Sequence, residues 1–222
     1  MSSTSKNRFL ADSIRLSFGT KDVLNGAWIH SETGMVTGLL GRNGCGKSCM
    51  FRSIMGELKP QDLFVGINDK VVTGSMEMGQ YVKYLAQKHF LPPKLKLKDA
   101  FVYFQADFEA FVADFPQFAK YSRTPAGELS GGELRIVEIW LCLCGNSLFC
   151  ILDEPFSYLA PVAVEVVQRL IQREKSKKGI IISDHNYEAL LEVADEVLLL
   201  SDGYVHLVKE RSDLVRYGYL LR

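Results

Sequence analysis

The octet Gly41-Arg42-Asn43-Gly44-Cys45-Gly46-Lys47-Ser48 limits what this chain can fold into more than any other feature. It satisfies G-x-x-x-x-G-K-[ST], follows the apolar run Met35–Leu40, and leads into Ser48–Met55, a segment of helical character. A buried strand, a glycine-rich turn and a helix start in that order are the context the motif requires. Glycines let the backbone curl until its N–H groups converge on an anion, and the helix start adds the positive end of its dipole. Gly41, Asn43, Gly44, Cys45, Gly46, Lys47 and Ser48 therefore read as a cradle for a nucleotide triphosphate. Lys47 brings a charge toward the β- and γ-phosphates, and Ser48 offers a hydroxyl oxygen to Mg²⁺. The other reading is a chance glycine turn, which average residue usage would produce in roughly one such chain in a hundred.

The remainder of the chain agrees with an α/β architecture. Tyr81–Ala86, Leu148–Leu152 and Gly179–Ser183 read as short strands, Val162–Arg173 and Glu188–Val193 as helices. Such alternation implies a mostly parallel sheet. Val197–Ser201 and Tyr204–Val208, joined by Asp202-Gly203, read as a terminal hairpin. With 222 residues, one domain or two closely packed lobes are expected, with no further carboxy-terminal domain. The Leu91-Pro92-Pro93 break opens a section of different composition, where Phe101, Phe104, Phe108 and Phe111 recur as on one face of a helix ending before Pro116. That stripe is either a small aromatic core or a docking surface.

Lys plus Arg and Asp plus Glu both total 26, so no global basic field favours nucleic acid. The polar start, Met1–Asn7, lacks the apolar stretch of a secretory signal, and Glu138 interrupts the greasiest run between Val137 and Ile139, so neither export nor membrane spanning is expected. Five cysteines without C-x-x-C spacing read as reduced thiols, which fits a cytosolic protein.

Two further segments carry chemistry. Phe149-Cys150-Ile151-Leu152-Asp153-Glu154 is an apolar strand ending in two acids, and ligands collect at such strand ends. Successive strand residues point to opposite faces, so Asp153 is expected to serve Mg²⁺ and Glu154 the attacking water; taken alone, the segment reads better as an acidic helix cap or surface pair after a core strand, and the P-loop turns the balance to catalysis. Leu129-Ser130-Gly131-Gly132-Glu133 contains the S-x-x-E capping box of a helix start. Two glycines just inside a helix nevertheless cost about 1 kcal/mol each relative to alanine, and a phosphate approaching their N–H groups would account for them.

Leu-Ser-Gly-Gly-Glu lying between the octet and an Asp-Glu strand resembles the signature of ATP-binding cassette (ABC) ATPases, and the resemblance covers nearly the whole chain. It implies a P-loop NTPase of ABC type: a RecA-like, mostly parallel core (about 1–87 and 131–222), an N-terminal antiparallel β part and a small helical subdomain (88–130) ending in the signature loop. It also implies that Ser130, Gly131 and Gly132 bind ATP held by a second copy in a head-to-tail homodimer. Gln87 resembles the family's glutamine that senses Mg²⁺ and the attacking water, His185 its switch histidine, and Phe18 the aromatic that stacks on adenine, although ordinary core packing suits Phe18 equally. Glu133 stands where glutamine is common and Cys45 where the family has a small residue. The family's Leu-Asp pair is here Leu159-Ala160, without the carboxylate that links the two composite sites.

The resemblance implies an ATPase subunit at the inner face of the cell membrane, held there by separate integral subunits that dock on the phenylalanine-rich lobe. The alternative is a non-transport ABC module that regulates a soluble complex with slow hydrolysis.

Overall fold

The computed structural model describes residues 6–220; most of the polar Met1–Asn7 segment lies outside them. In chain order the elements are β1 (Arg8–Phe18), β2 (Lys21–Glu32), β3 (Val36–Leu40), α1 (Lys47–Ile54), β4 (Asp62–Ile67), β5 (Lys70–Val71), α2 (Ser75–Tyr81) and β6 (Val82–Leu85). There follow α3 (Leu97–Tyr103), α4 (Phe108–Asp114), α5 (Gly131–Cys144), β7 (Phe149–Asp153), α6 (Pro161–Glu174), β8 (Gly179–Ser183), α7 (Tyr187–Leu191), β9 (Glu196–Ser201), β10 (Tyr204–Val208) and α8 (Arg211–Arg216).

Two sheets result. The larger runs β10-β9-β3-β8-β7-β6, parallel throughout except for the β9–β10 hairpin. The smaller, β2-β1-β4-β5, is antiparallel. Strand alternation explains how they pack. Phe149, Ile151 and Ile181 face a core shared with β1, β2, β4 and α1, where Phe9, Ile29 and Phe51 are buried. Cys150, Leu152, Ile180 and Ile182 face the opposite core, built from α3 to α6 with Phe101, Phe111, Trp140 and Leu170. The central strands are buried on both faces, which is why they read as continuous apolar runs.

The sequence expectation of a single helix carrying all four phenylalanines fails. α3 stops at Tyr103, Gln105 takes a left-handed φ of 53°, and α4 starts anew at Phe108. Asp107 explains the restart: its carboxylate accepts the N–H groups of Glu109 and Ala110 as an N-cap. The aromatic core still forms across the break, with Phe101 edge-on to Phe108 at 5.1 Å and 5.0 Å from Phe111. Phe104 pairs instead with Phe90, at 5.4 Å. Likewise the strand read from Tyr81 begins at Val82, because Tyr81 ends the helix α2.

Candidate active site

The sheet order puts the C-terminal ends of β3, β8, β7 and β6 side by side, and each end delivers different groups. β3 runs into the glycine-rich loop, β8 into Asp184-His185, β7 ends at Asp153 before Glu154, and β6 ends two residues before Gln87. A cleft of about 510 Å³ opens among them, lined by Asn43, Gly44, Gly46, Lys47, Ser48, Cys49, Gln87, Glu154, Tyr158 and His185.

The loop geometry needs its glycines. Gly46, the N-cap of α1, holds φ 115°, and a Cβ there would fall 2.9 Å from Val23. A Cβ on Gly41 would fall 2.5 Å from the Cys45 sulfur and 2.8 Å from the Leu200 carbonyl. Lys47 is only 6% exposed, and its Nζ donates to the carbonyls of Gly41 at 2.7 Å and Arg42 at 3.4 Å. Arg42 in turn donates to the Gly218 carbonyl, tying the turn after α8 to the loop.

Asp153 is fully buried; its Oδ1 accepts the Ser183 hydroxyl at 2.6 Å. Burial pushes its carboxyl above the ordinary range, against the pull of the Ser183 and Ser48 hydroxyls. Asp184 is raised for the same reason, while its oxygens accept the N–H groups of Phe156 and Asn186 at 2.9 and 2.8 Å. Strand alternation, expected from the sequence to divide Asp153 from Glu154, does not operate here. Glu154 is not a strand residue: β7 ends at Asp153 and Glu154 turns to φ 54°, left-handed and strained for a non-glycine. That turn, rather than strand alternation, separates the two carboxylates. The Glu154 Oε2 lies 3.8 Å from His185 Nδ1 and 3.4 Å from the Ser157 hydroxyl.

Ser130, Gly131 and Gly132 are not among the residues lining this cleft. Ser130 caps α5 in a complete capping box with Glu133, and the Ser130 hydrogen bonds hold the Glu133 carboxyl below its ordinary value. With Gly132 it lines a separate, mainly apolar cleft of about 630 Å³ that includes Tyr158, Leu159, Ala160 and Val162. A Cβ on Gly132 would meet the Tyr158 carbonyl at 3.1 Å, whereas one on Gly131 would meet nothing within 4 Å, so no packing inside the chain requires Gly131. Phe18 is 53% exposed at the end of β1, outside the cleft lining and not packed in the core.

Sequence reading missed Arg135 and Glu138, two charges buried on α5. Residues 24–157, more than half of the chain, match the family described as ABC transporter. The chain belongs to this family.

The lipopolysaccharide export system ATP-binding protein LptB of Acidithiobacillus ferridurans is 29% identical over 211 residues, covering 88% of this chain and 87% of that protein. LptB of Escherichia coli K12 is 30% identical over 190 residues, 78% of each. The fold matches a solved ATP-binding subunit of an ABC transporter with a TM-score of 0.84 at 20% identity, over 95% of this chain and 93% of that one. It matches a bacterial Atm1-family ABC exporter with ATP bound at 0.81 and 19% identity, over 96% of this chain and 41% of that one. As an ABC family member the chain is an ATP-binding, ATP-hydrolysing transporter subunit. No helix among the described residues is long and apolar enough to cross a membrane.

Proposed function

We propose that this ABC subunit binds ATP with Mg²⁺ in the cleft around Lys47 and hydrolyses it between two copies arranged head to tail. It works in the cytoplasm, attached to the membrane through separate integral subunits. The observation that carries this reading is the convergence of Lys47, Ser48, Gln87, Asp153, Glu154 and His185 at the ends of four adjacent parallel strands. Lys47, freed from the Gly41 carbonyl, faces the β- and γ-phosphates, and the N–H groups from Gly44 to Ser48 surround them. Phe18, exposed beside the β1–β2 turn, is free to stack on the adenine.

The donor set fits Mg²⁺. Ser48 and Asp153 present oxygen atoms, as a hard cation prefers, and the Ser48 hydroxyl is close enough to act on the Asp153 carboxyl. The Gln87 amide oxygen, lining the same cleft, would complete the set. Bound there, Mg²⁺ would neutralise charge on the phosphate oxygens. Glu154 orients a water and takes its proton as the water oxygen forms a bond to the γ-phosphorus and the bond to the β,γ-bridging oxygen breaks. His185 faces the γ-phosphate beside Glu154. Ser130, Gly131 and Gly132 cannot serve the cleft of their own chain, so they serve the ATP of the second copy, and the open side of Gly131 leaves room for a phosphate.

The names of the LptB relatives support transport over the soluble regulatory alternative. Glu154→Gln tests the shared site, because it keeps the shape of the carboxylate and weakens its basicity. Size-exclusion chromatography should show a dimer with ATP and a monomer without, alongside loss of turnover. A Glu154→Gln protein that stays monomeric and hydrolyses ATP at the wild-type rate would refute both the geometry and the role.

A further inference from the structure

Arg135 and Glu138 stand one turn apart on the same face of α5, buried to 3% and 0% exposure. Neither pairs with an opposite charge on its own helix; both reach for backbone. Arg135 Nη1 donates to the Ala86 carbonyl at 2.6 Å, and its Nη2 to the carbonyls of Asp153 and Glu154 at 2.6 and 3.0 Å. Glu138 Oε1 accepts the N–H groups of Phe90 at 2.7 Å and Leu91 at 3.1 Å, while Oε2 meets His89 Nδ1 at 2.8 Å. Ala86 immediately precedes Gln87, and Phe90 and Leu91 follow it by three and four residues. Gln87 is exposed, and its side chain makes no hydrogen bond among the described residues.

We propose that Arg135 and Glu138 are positioning residues for hydrolysis, gripping the backbone on both flanks of Gln87 and fastening that loop to the helix that begins at Ser130. A buried carboxylate is costly unless its lone pairs are used. Here they are spent on the loop, so the loop cannot shift without leaving a buried charge unpaired. Displacement of the signature end of α5 is thereby transmitted to Gln87, and through the Glu154 carbonyl to the backbone of the proposed base. The grip rests on the reading of Gln87 given above only for its consequence in turnover, not for its geometry.

Glu138→Ala in the full chain, with hydrogen exchange and steady-state ATPase kinetics, tests the proposal. Exchange of the 86–91 amides should accelerate about tenfold or more while β8 stays protected, and kcat should fall about tenfold with the KM for ATP within about twofold. Glu138→Gln, which retains an acceptor for Phe90 and Leu91, should restore kcat to within about twofold of wild type. If Glu138→Ala fails to fold, Glu138→Asp withdraws the same acceptor by one methylene and takes its place. In a Gln87→Ala background the Glu138 change should add no further loss; additive losses would overturn the path through Gln87. Unchanged exchange at 86–91 overturns the grip whatever Gln87 does. Accelerated exchange with Gln87→Ala fully active would remove the role assigned to Gln87 and leave the grip standing.

Discussion

Helix α6 starts at Pro161 with Ala160 as its N-cap, and the structure shows what the lack of a capping side chain there costs. Ala160 has the extended dihedrals of an N-cap (φ −67°, ψ 149°), its carbonyl accepts from Ala163 and Val164, but no side chain caps the helix. Pro161 at the first helical position has no N–H, which leaves the amides of Val162 and Ala163 as the donors a cap would serve. Ala160→Asn should recover about 1 kcal/mol. Ala160→Asp adds the interaction of a charge with the helix dipole, about 0.3–1 kcal/mol more. For a chain of this length each kcal/mol raises the melting temperature by about 2–4 °C, so Asn should gain about 2–4 °C and Asp about 3–8 °C. Asp114 and Glu133 line the same cleft as Ala160, so an Asp that melts no higher than Asn would mean their repulsion cancels the dipole contribution. Calorimetry of the nucleotide-free protein measures both variants. If neither melts above wild type, the claim that α6 lacks a cap is wrong.

Lys47→Ala removes the cation the loop offers to a triphosphate, so ATP affinity should fall by about a hundredfold or more in isothermal titration; unchanged affinity in a folded protein would sink the phosphate assignment. Asp153→Asn should abolish Mg²⁺-supported hydrolysis yet raise the melting temperature of the nucleotide-free protein at pH 7, because burial holds the Asp153 carboxyl above its ordinary value. The sign follows from proton linkage: a carboxyl with a raised folded-state pKa loses stability as pH rises from the ordinary carboxylate range through the folded value. The Asn advantage should therefore shrink as the pH is lowered into that window, and a pH-independent difference would contradict the account.

What could be read from the sequence was local. The octet, the capping box at Ser130 and the Asp202-Gly203 hairpin each depend on residues within one turn of one another; at the last, φ values of 51° and 81° are the two positive dihedrals such a turn demands. The break between α3 and α4 had a local signal too, Asp107 before Phe108, but phenylalanine spacing outweighed it because three-and-four spacing survives a short interruption. Arg135 and Glu138 had none. Their partners lie 47 to 49 residues earlier or 18 to 19 later. Only the sheet order brings these segments to one helix, so Glu138 in the sequence marks a break in hydrophobicity and nothing more.

The same sheet order explains why the candidate site is poor for stability. The adjacent, parallel ends of β7 and β8 bring the carboxylates Asp153, Glu154 and Asp184 together, two of them buried with raised pKa values. Glu154 and Tyr158 hold left-handed dihedrals, and Tyr158 is 91% exposed. Each strained residue costs on the order of 1–3 kcal/mol, the hydrogen bonds that Asp153 and Asp184 accept leave both carboxyls raised by burial, and the exposed Tyr158 ring buries little in the monomer. Such features persist when something outside the fold uses them. A cation beside Asp153 would relieve the buried charge, and a second copy would cover Tyr158. Binding of ATP, cation and partner should therefore stabilise this chain together more than the sum of each alone, whereas a fold optimised as a monomer would have placed glycine at Tyr158 and kept its carboxylates in water.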